Sequence, residues 1–291
     1  MGLRGIAMHT FDLSIPTSGE YGLVTRLWCG ETSPRYILAV VHGLGEHAQR
    51  YTHVAESFVN HGASVLAWDQ KGHGRTGGAL PHFQVLLDDL GSVETYVASK
   101  YPGVPLVFYG QSLGGGLVIN YLLSRSSQAT GGIATSPLLR TTVPPPAWKL
   151  AVAKALGKLW PSFTLSTAIR PKELTHDPAG VKAYQSDPLV HQRVSAALGL
   201  SMLEAGEWSI ANAHKLATPL LLMHGTQDRI TSCEASEAFS KASNTYCAFR
   251  AWNGLYHDMH WEPQREQVLS AMQDFIDRTI ASASHRSTPR G

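Results

Sequence analysis

Apolar and polar positions along the chain fall into two rhythms that take turns. Residues 36–41 (Tyr-Ile-Leu-Ala-Val-Val), 63–68, 106–109 and 219–223 are short apolar runs. Runs of this kind predict strands buried on both faces. Between them the rhythm lengthens. Over 82–101, Phe83, Val85, Leu86, Leu90, Val93 and Val97 recur mostly at three- and four-residue steps, which predicts an amphipathic helix. Residues 51–61, 116–123, 234–241 and 264–279 read as further helices, and 132–135 and 246–252 as further strands. The segments 9–15 and 21–28 flank the turn Thr17-Ser18-Gly19-Glu20 and predict an antiparallel pair. Strands that alternate with helices predict an α/β fold with a mostly parallel sheet covered on both faces.

One segment breaks the alternation. Residues 137–214 lie between two strands but are far longer than a crossover needs, so a mostly helical insertion is expected there. Pro144-Pro145-Pro146 opens it, and proline suits a helix start. Trp148, Val152, Leu156 and Leu159 then fall on one face, with Lys154 and Lys158 on the opposite side. Amphipathic faces mostly cover a core, and that is the expectation here. The alternatives are transient contact with a membrane surface or contact with a second subunit.

Composition narrows the classes. A chain of 291 residues, 43% hydrophobic and 16% charged, suits one α/β domain with an insertion, or two small domains. A net charge of +2 implies no steering of nucleic acid. The cysteines Cys29, Cys233 and Cys247 are odd in number and far apart, which fits a reducing, cytoplasmic setting rather than a disulfide framework. Residues 1–10 lack the apolar core of a signal peptide, no apolar run reaches membrane-spanning length, and the Ser/Arg/Pro-rich tail 281–291 is expected to fray.

The candidate chemistry centres on Gly110-Gln111-Ser112-Leu113-Gly114, between an apolar run and a helix. This is a G-x-S-x-G nucleophile elbow in strand-turn-helix context. A serine on so sharp a turn needs neighbours without Cβ, and the helix that follows aims its free N–H groups at developing charge. Serine needs a base, and the base an orienting carboxylate, in the chain order Ser, Asp/Glu, His. Asp228 stands just beyond the strand 219–223, and His257 just beyond the last strand, with His260 as its competitor. A metal reading of His257, Asp258 and His260 lacks a third ligand in matching context, so no metal is assigned. The oxyanion of acyl transfer calls for two N–H donors. Leu113 supplies one, and Leu44 in the loop His42-Gly43-Leu44-Gly45-Glu46-His47 the other. His42 is expected to pack within that loop.

These motifs together with Arg50-Tyr51, residues 69–76, Ser136-Pro137-Leu138 and Ser186-Asp187-Pro188-Leu189 resemble the monoacylglycerol lipase family of α/β hydrolases over nearly the whole chain. The resemblance implies an α/β-hydrolase fold with a core at 1–136 and 215–291 and a helical cap at 137–214. It implies a serine hydrolase that cleaves a small lipid ester, a monoacylglycerol, with no cofactor. General carboxylesterases, lysophospholipases and ligand-binding proteins of the same fold remain alternatives. By resemblance Ser112, Asp228 and His257 form the triad, and Leu44 and Leu113 the oxyanion hole. Glu46, Arg50, Tyr184 and His260 line the alcohol end. Gln111 departs from the family, which often carries histidine there.

Overall fold

The computed structural model describes residues 7–160, 163–167 and 169–286, apart from the side chains at 149, 156–159, 285 and 286. Its strands are β1 (His9–Pro16), β2 (Gly22–Cys29), β3 (Tyr36–Val41), β4 (Ala63–Trp68), β5 (Leu106–Gln111), β6 (Gly131–Thr135), β7 (Thr164–Ser166), β8 (Arg193–Ser195), β9 (Leu220–Gly225) and β10 (Cys247–Trp252). The helices are α1 (Thr52–Asn60), α2 (Phe83–Lys100), α3 (Leu113–Ser124), α4 (Ala147–Leu159), α5 (Pro178–Ser186), α6 (Ala196–Ala211), α7 (Cys233–Ala242) and α8 (Arg265–Arg286).

Eight strands form one sheet in the order β1-β2-β4-β3-β5-β6-β9-β10. The pairs β1–β2 and β2–β4 are antiparallel, and the other neighbours are parallel. Strand alternation divides the core in two. Ile37, Ala39 and Val41 of β3 pack with α2 and α3, while Tyr36, Leu38 and Val40 pack with α1 and α8. Both faces are apolar, which is why β3 reads as an unbroken run. From β3 the chain moves to β4 on one side and returns to β5 on the other. That reversal opens a crevice at the carboxyl ends of the strands. The loops after β3, β5, β9 and β10 all reach this edge.

The structure departs from expectation in three places. First, among the helices of 137–214 lie two strands that no run predicted, β7 and β8, which pair antiparallel as a small separate sheet. These strands have three residues each, too short for a periodic signal. Second, α8 runs on to Arg286, beyond the expected end at 279, with Ser282 Oγ and Ser284 Oγ donating back to the carbonyls of Arg278 and Ile280. Third, Trp148 and Val152 do not cover the core: they are 65% and 49% exposed. It is Leu150 and Ala153 that α4 turns inward, toward a cavity. The side chains of the remaining members of that face, Leu156 and Leu159, and of Lys158 on the opposite side lie outside what is described, as do residues 1–6 and 287–291 of the two termini. The last helix of the insertion, α6, packs on α3, and Asn120 Nδ2 donates to Ser209 Oγ at 3.2 Å. Among the described residues no helix is long and apolar enough to cross a membrane.

Candidate active site

Ser112 sits at φ 55°, ψ −116°, in a left-handed region that side chains avoid. Holding it there costs about 1–3 kcal/mol, and the surroundings must impose it. Close packing does so. A Cβ on Gly110 would lie 2.2 Å from the Gly114 carbonyl, and one on Gly114 would lie 1.9 Å from the Val41 carbonyl. The two glycines let β3, β5 and α3 meet at backbone distance. Leu113 is the first residue of α3, so its N–H has no preceding helical carbonyl to bond. Gly43 brings the β3 loop against the serine, since a Cβ there would stand 3.4 Å from Ser112 Cβ. Leu44 lines the cavity with Ser112.

Asp228 follows β9 and is buried. Its Oδ2 accepts from His257 Nδ1 at 2.7 Å, Thr231 Oγ1 at 2.8 Å and His224 Nε2 at 3.1 Å. Its Oδ1 accepts from the N–H groups of Ile230 and Thr231, at 2.7 and 3.1 Å. Burial would raise this carboxyl, but the charge on His257 and the bonds from His224 and His257 hold it well below the carboxylate range. Burial would in turn lower His257, and the Asp228 charge more than offsets it, so the imidazole is raised. His224 and Thr231 were not singled out in the sequence. Their signal is weak there, because one lies inside a strand and the other in an isolated bridge to Thr141.

The alcohol-end candidates separate into two layers. Glu46 and Tyr184 line the cavity beside Ser112 and His257. Arg50 and His260 are not among its lining residues. Arg50 stands behind Glu46, with Nε 3.4 Å from Oε1, and its guanidinium lies over the Tyr184 ring. His260 is buried against Tyr51, with rings stacked at 4.7 Å. Burial, then the charges of His53 and Arg50, push it well below the imidazole range. It lies in the short 3-10 turn Met259–Trp261 that follows His257. Asp258, unassigned from sequence, does line the cavity.

Loop and insertion are tied together. His47 Nε2 pairs with Asp187 Oδ2 at 2.8 Å, and His191 N–H donates to the Gly45 carbonyl at 2.9 Å. His42 packs within its loop, with Nδ1 2.7 Å from the Gly43 carbonyl and Nε2 accepting from Gln70 N–H. The cavity has a volume of about 330 Å³. Beyond the polar end its walls are apolar, built from Leu150 and Ala153 of α4, Leu165 of β7, and Leu200 and Leu203 of α6.

A family model described as serine aminopeptidase, S33, matches residues 32–264. An uncharacterized abhydrolase domain-containing protein of Dictyostelium discoideum is 34% identical over 93% of this chain and 29% of its own length. A monoacylglycerol lipase of Mycolicibacterium smegmatis is 30% identical over 89% of this chain and 94% of that protein. The crystal structure of the Paleococcus ferrophilus monoacylglycerol lipase superposes with a TM-score of 0.81 at 31% identity, covering 89% of this chain and 98% of the other. A strained serine on a strand-helix turn, a late carboxylate-histidine pair and this likeness along the whole core lead to one statement: the chain belongs to the serine aminopeptidase S33 family of α/β hydrolases, within its monoacylglycerol lipase family.

Proposed function

We propose that the protein hydrolyses monoacylglycerols to fatty acid and glycerol through an acyl-enzyme at Ser112. One observation carries the reading. Ser112 and His257 open on a single cavity with the carboxyls Glu46 and Asp258 and the Tyr184 phenol at one end and apolar side chains along the rest. Such a shape suits an ester with a small polar alcohol and a long apolar acyl group.

In this mechanism His257 takes the proton of the Ser112 hydroxyl as the oxygen attacks the ester carbonyl. Asp228 holds the imidazole and stabilises its charged form. The N–H groups of Leu44 and Leu113 receive the oxyanion. His257 then passes its proton to the leaving alcohol oxygen, and water, activated by the same imidazole, releases the acid. Residues 137–214 act as a cap over this chemistry. We also propose that the cap touches a lipid surface while substrate enters: Val143 and Leu165, both exposed, line the cavity.

The test is a turnover panel of 1- and 2-monoacylglycerols of several chain lengths beside methyl esters of the same acids and lysophospholipids. Monoacylglycerols are expected to win. Equal cleavage of methyl esters would make the protein a general carboxylesterase, and preference for lysophospholipid a lysophospholipase. Ser112→Ala should fold normally and lose about 10⁴-fold or more in kcat. Turnover that survives this change would remove Ser112 from the reaction.

A further inference from the structure

Asp258 follows His257 directly in the chain, is 2% exposed, and lines the cavity with Glu46. The mechanism above gives it no task. Its Oδ1 accepts from Gln111 Nε2 at 3.1 Å, and its Oδ2 faces Arg50 Nη2 at 4.0 Å. Glu46 Oε1 meets the same guanidinium at Arg50 Nε, at 3.4 Å. Two buried carboxyls therefore share one cation. With both ionised, the trio would hold a net negative charge out of water, which favours keeping a proton on one of the two carboxyls.

The surroundings say where that proton sits. Glu46 accepts from Gly43 N–H, Arg50 Nε and Tyr51 Oη. Asp258 accepts from one neutral amide. Burial first, then the Glu46 charge, push the Asp258 carboxyl up to about 7; His257 and Arg50 pull it down and Asp228 adds to the rise. The phenols of Tyr51, Tyr109 and Tyr184 around it stay protonated, raised by burial and by these carboxylates. His260 on the same loop is kept neutral by burial.

A hydroxyl group both donates and accepts hydrogen bonds, a carboxylate only accepts, and a neutral carboxyl can donate. Arg50 stands behind the pair, outside the cavity lining. We propose that Asp258, carrying a proton opposite Glu46, is the donor that recognises a free hydroxyl on the departing alcohol. The inference rests on the reading of the site as one for monoacylglycerols.

The experiment is the ratio of kcat/KM for a 1-monoacylglycerol to that for the methyl ester of the same acid, from about pH 6 to about pH 9. Both substrates use the same serine and base, so titration of His257 cancels in the ratio. For the unaltered protein the ratio should fall about tenfold as pH rises, because the ionised carboxyl cannot donate. In Asp258→Asn an amide donor that does not titrate takes its place, and the ratio should stay high and flat. Glu46→Gln removes the charge that raises Asp258, so the fall should move to lower pH; this variant carries the test if Asp258→Asn fails to fold. A high ratio that is flat with pH in the unaltered protein, or a fall that persists in Asp258→Asn, overturns the proposal alone. A ratio near one at every pH overturns the monoacylglycerol reading, and this inference with it.

Discussion

Asp228 is gripped by five donors from four residues, and only one of them, His257, belongs to the proposed reaction. Such a carboxylate does not rotate, so the imidazole it holds is fixed in tautomer and direction. The same grip sets the pH response. His257 must be neutral to accept the serine proton, and Asp228 raises it. The acid limb of kcat/KM should therefore have its midpoint above the ordinary imidazole value of about 6.5. Asp228→Asn removes the charge and leaves the burial. Activity should drop about 10⁴-fold, and the midpoint of the residual acid limb should move down rather than up. A pH profile of both proteins on a soluble ester checks this. Residues of this kind were legible where a motif carries them. Ser112, Asp228 and His257 each follow a recognisable strand, and the structure brings them to one edge. Thr231 and Asp258 carry no motif, and only their distances reveal them.

At the scale of the element, the elbow depends on absent side chains. Gly114→Ala would drive a Cβ into the Val41 carbonyl, a backbone atom that cannot step aside. It should cost several kcal/mol or prevent soluble folding. Gly103 is the control. Unlike Gly114 it is left-handed, at φ 77°, and nothing stands within 4 Å of its Cβ position, so Gly103→Ala should cost only about 1 kcal/mol. Denaturant titration of the two variants separates strain from collision. Helix α6 supplies a second element-scale prediction. Gly199 lines the cavity, and its Cβ would meet only Val194 Cγ2, at 3.4 Å. Gly199→Leu should fill part of the apolar end and move the preferred acyl chain shorter by about two to four carbons. A chain-length series reads this directly, and an unmoved optimum would place the acyl group elsewhere.

Across the whole molecule, one buried carboxyl couples pH to stability far from the cavity. Asp89 of α2 accepts from Tyr21 Oη at 2.7 Å, and Lys71 lies over the Tyr21 ring. Burial pushes this carboxyl up to about 6, against the Tyr21 bond and the Lys71 charge. A folded-state value above that of a free aspartate means that stability is full below about pH 4 and falls as pH rises to about 6. Asp89→Asn keeps an acceptor for Tyr21 and cannot ionise. Its Tm should exceed that of the unaltered protein by a few degrees at pH 8 and match it at pH 4, as thermal melts at the two pH values would show. Local pattern alone was enough for the β3, β4, β5 and β9 runs, for the helix at 83–100 and for the G-x-S-x-G turn, because burial on both faces, helical periodicity and the need for glycine are properties of neighbours in the chain. Tertiary structure alone decided which face of α4 turns inward, that β7 pairs with β8, that Arg50 and His260 stand one layer behind Glu46, and that Asp258 shares a cation with it. Those outcomes depend on which distant surfaces meet, and charge sharing among buried groups exists only once folding has removed the water between them.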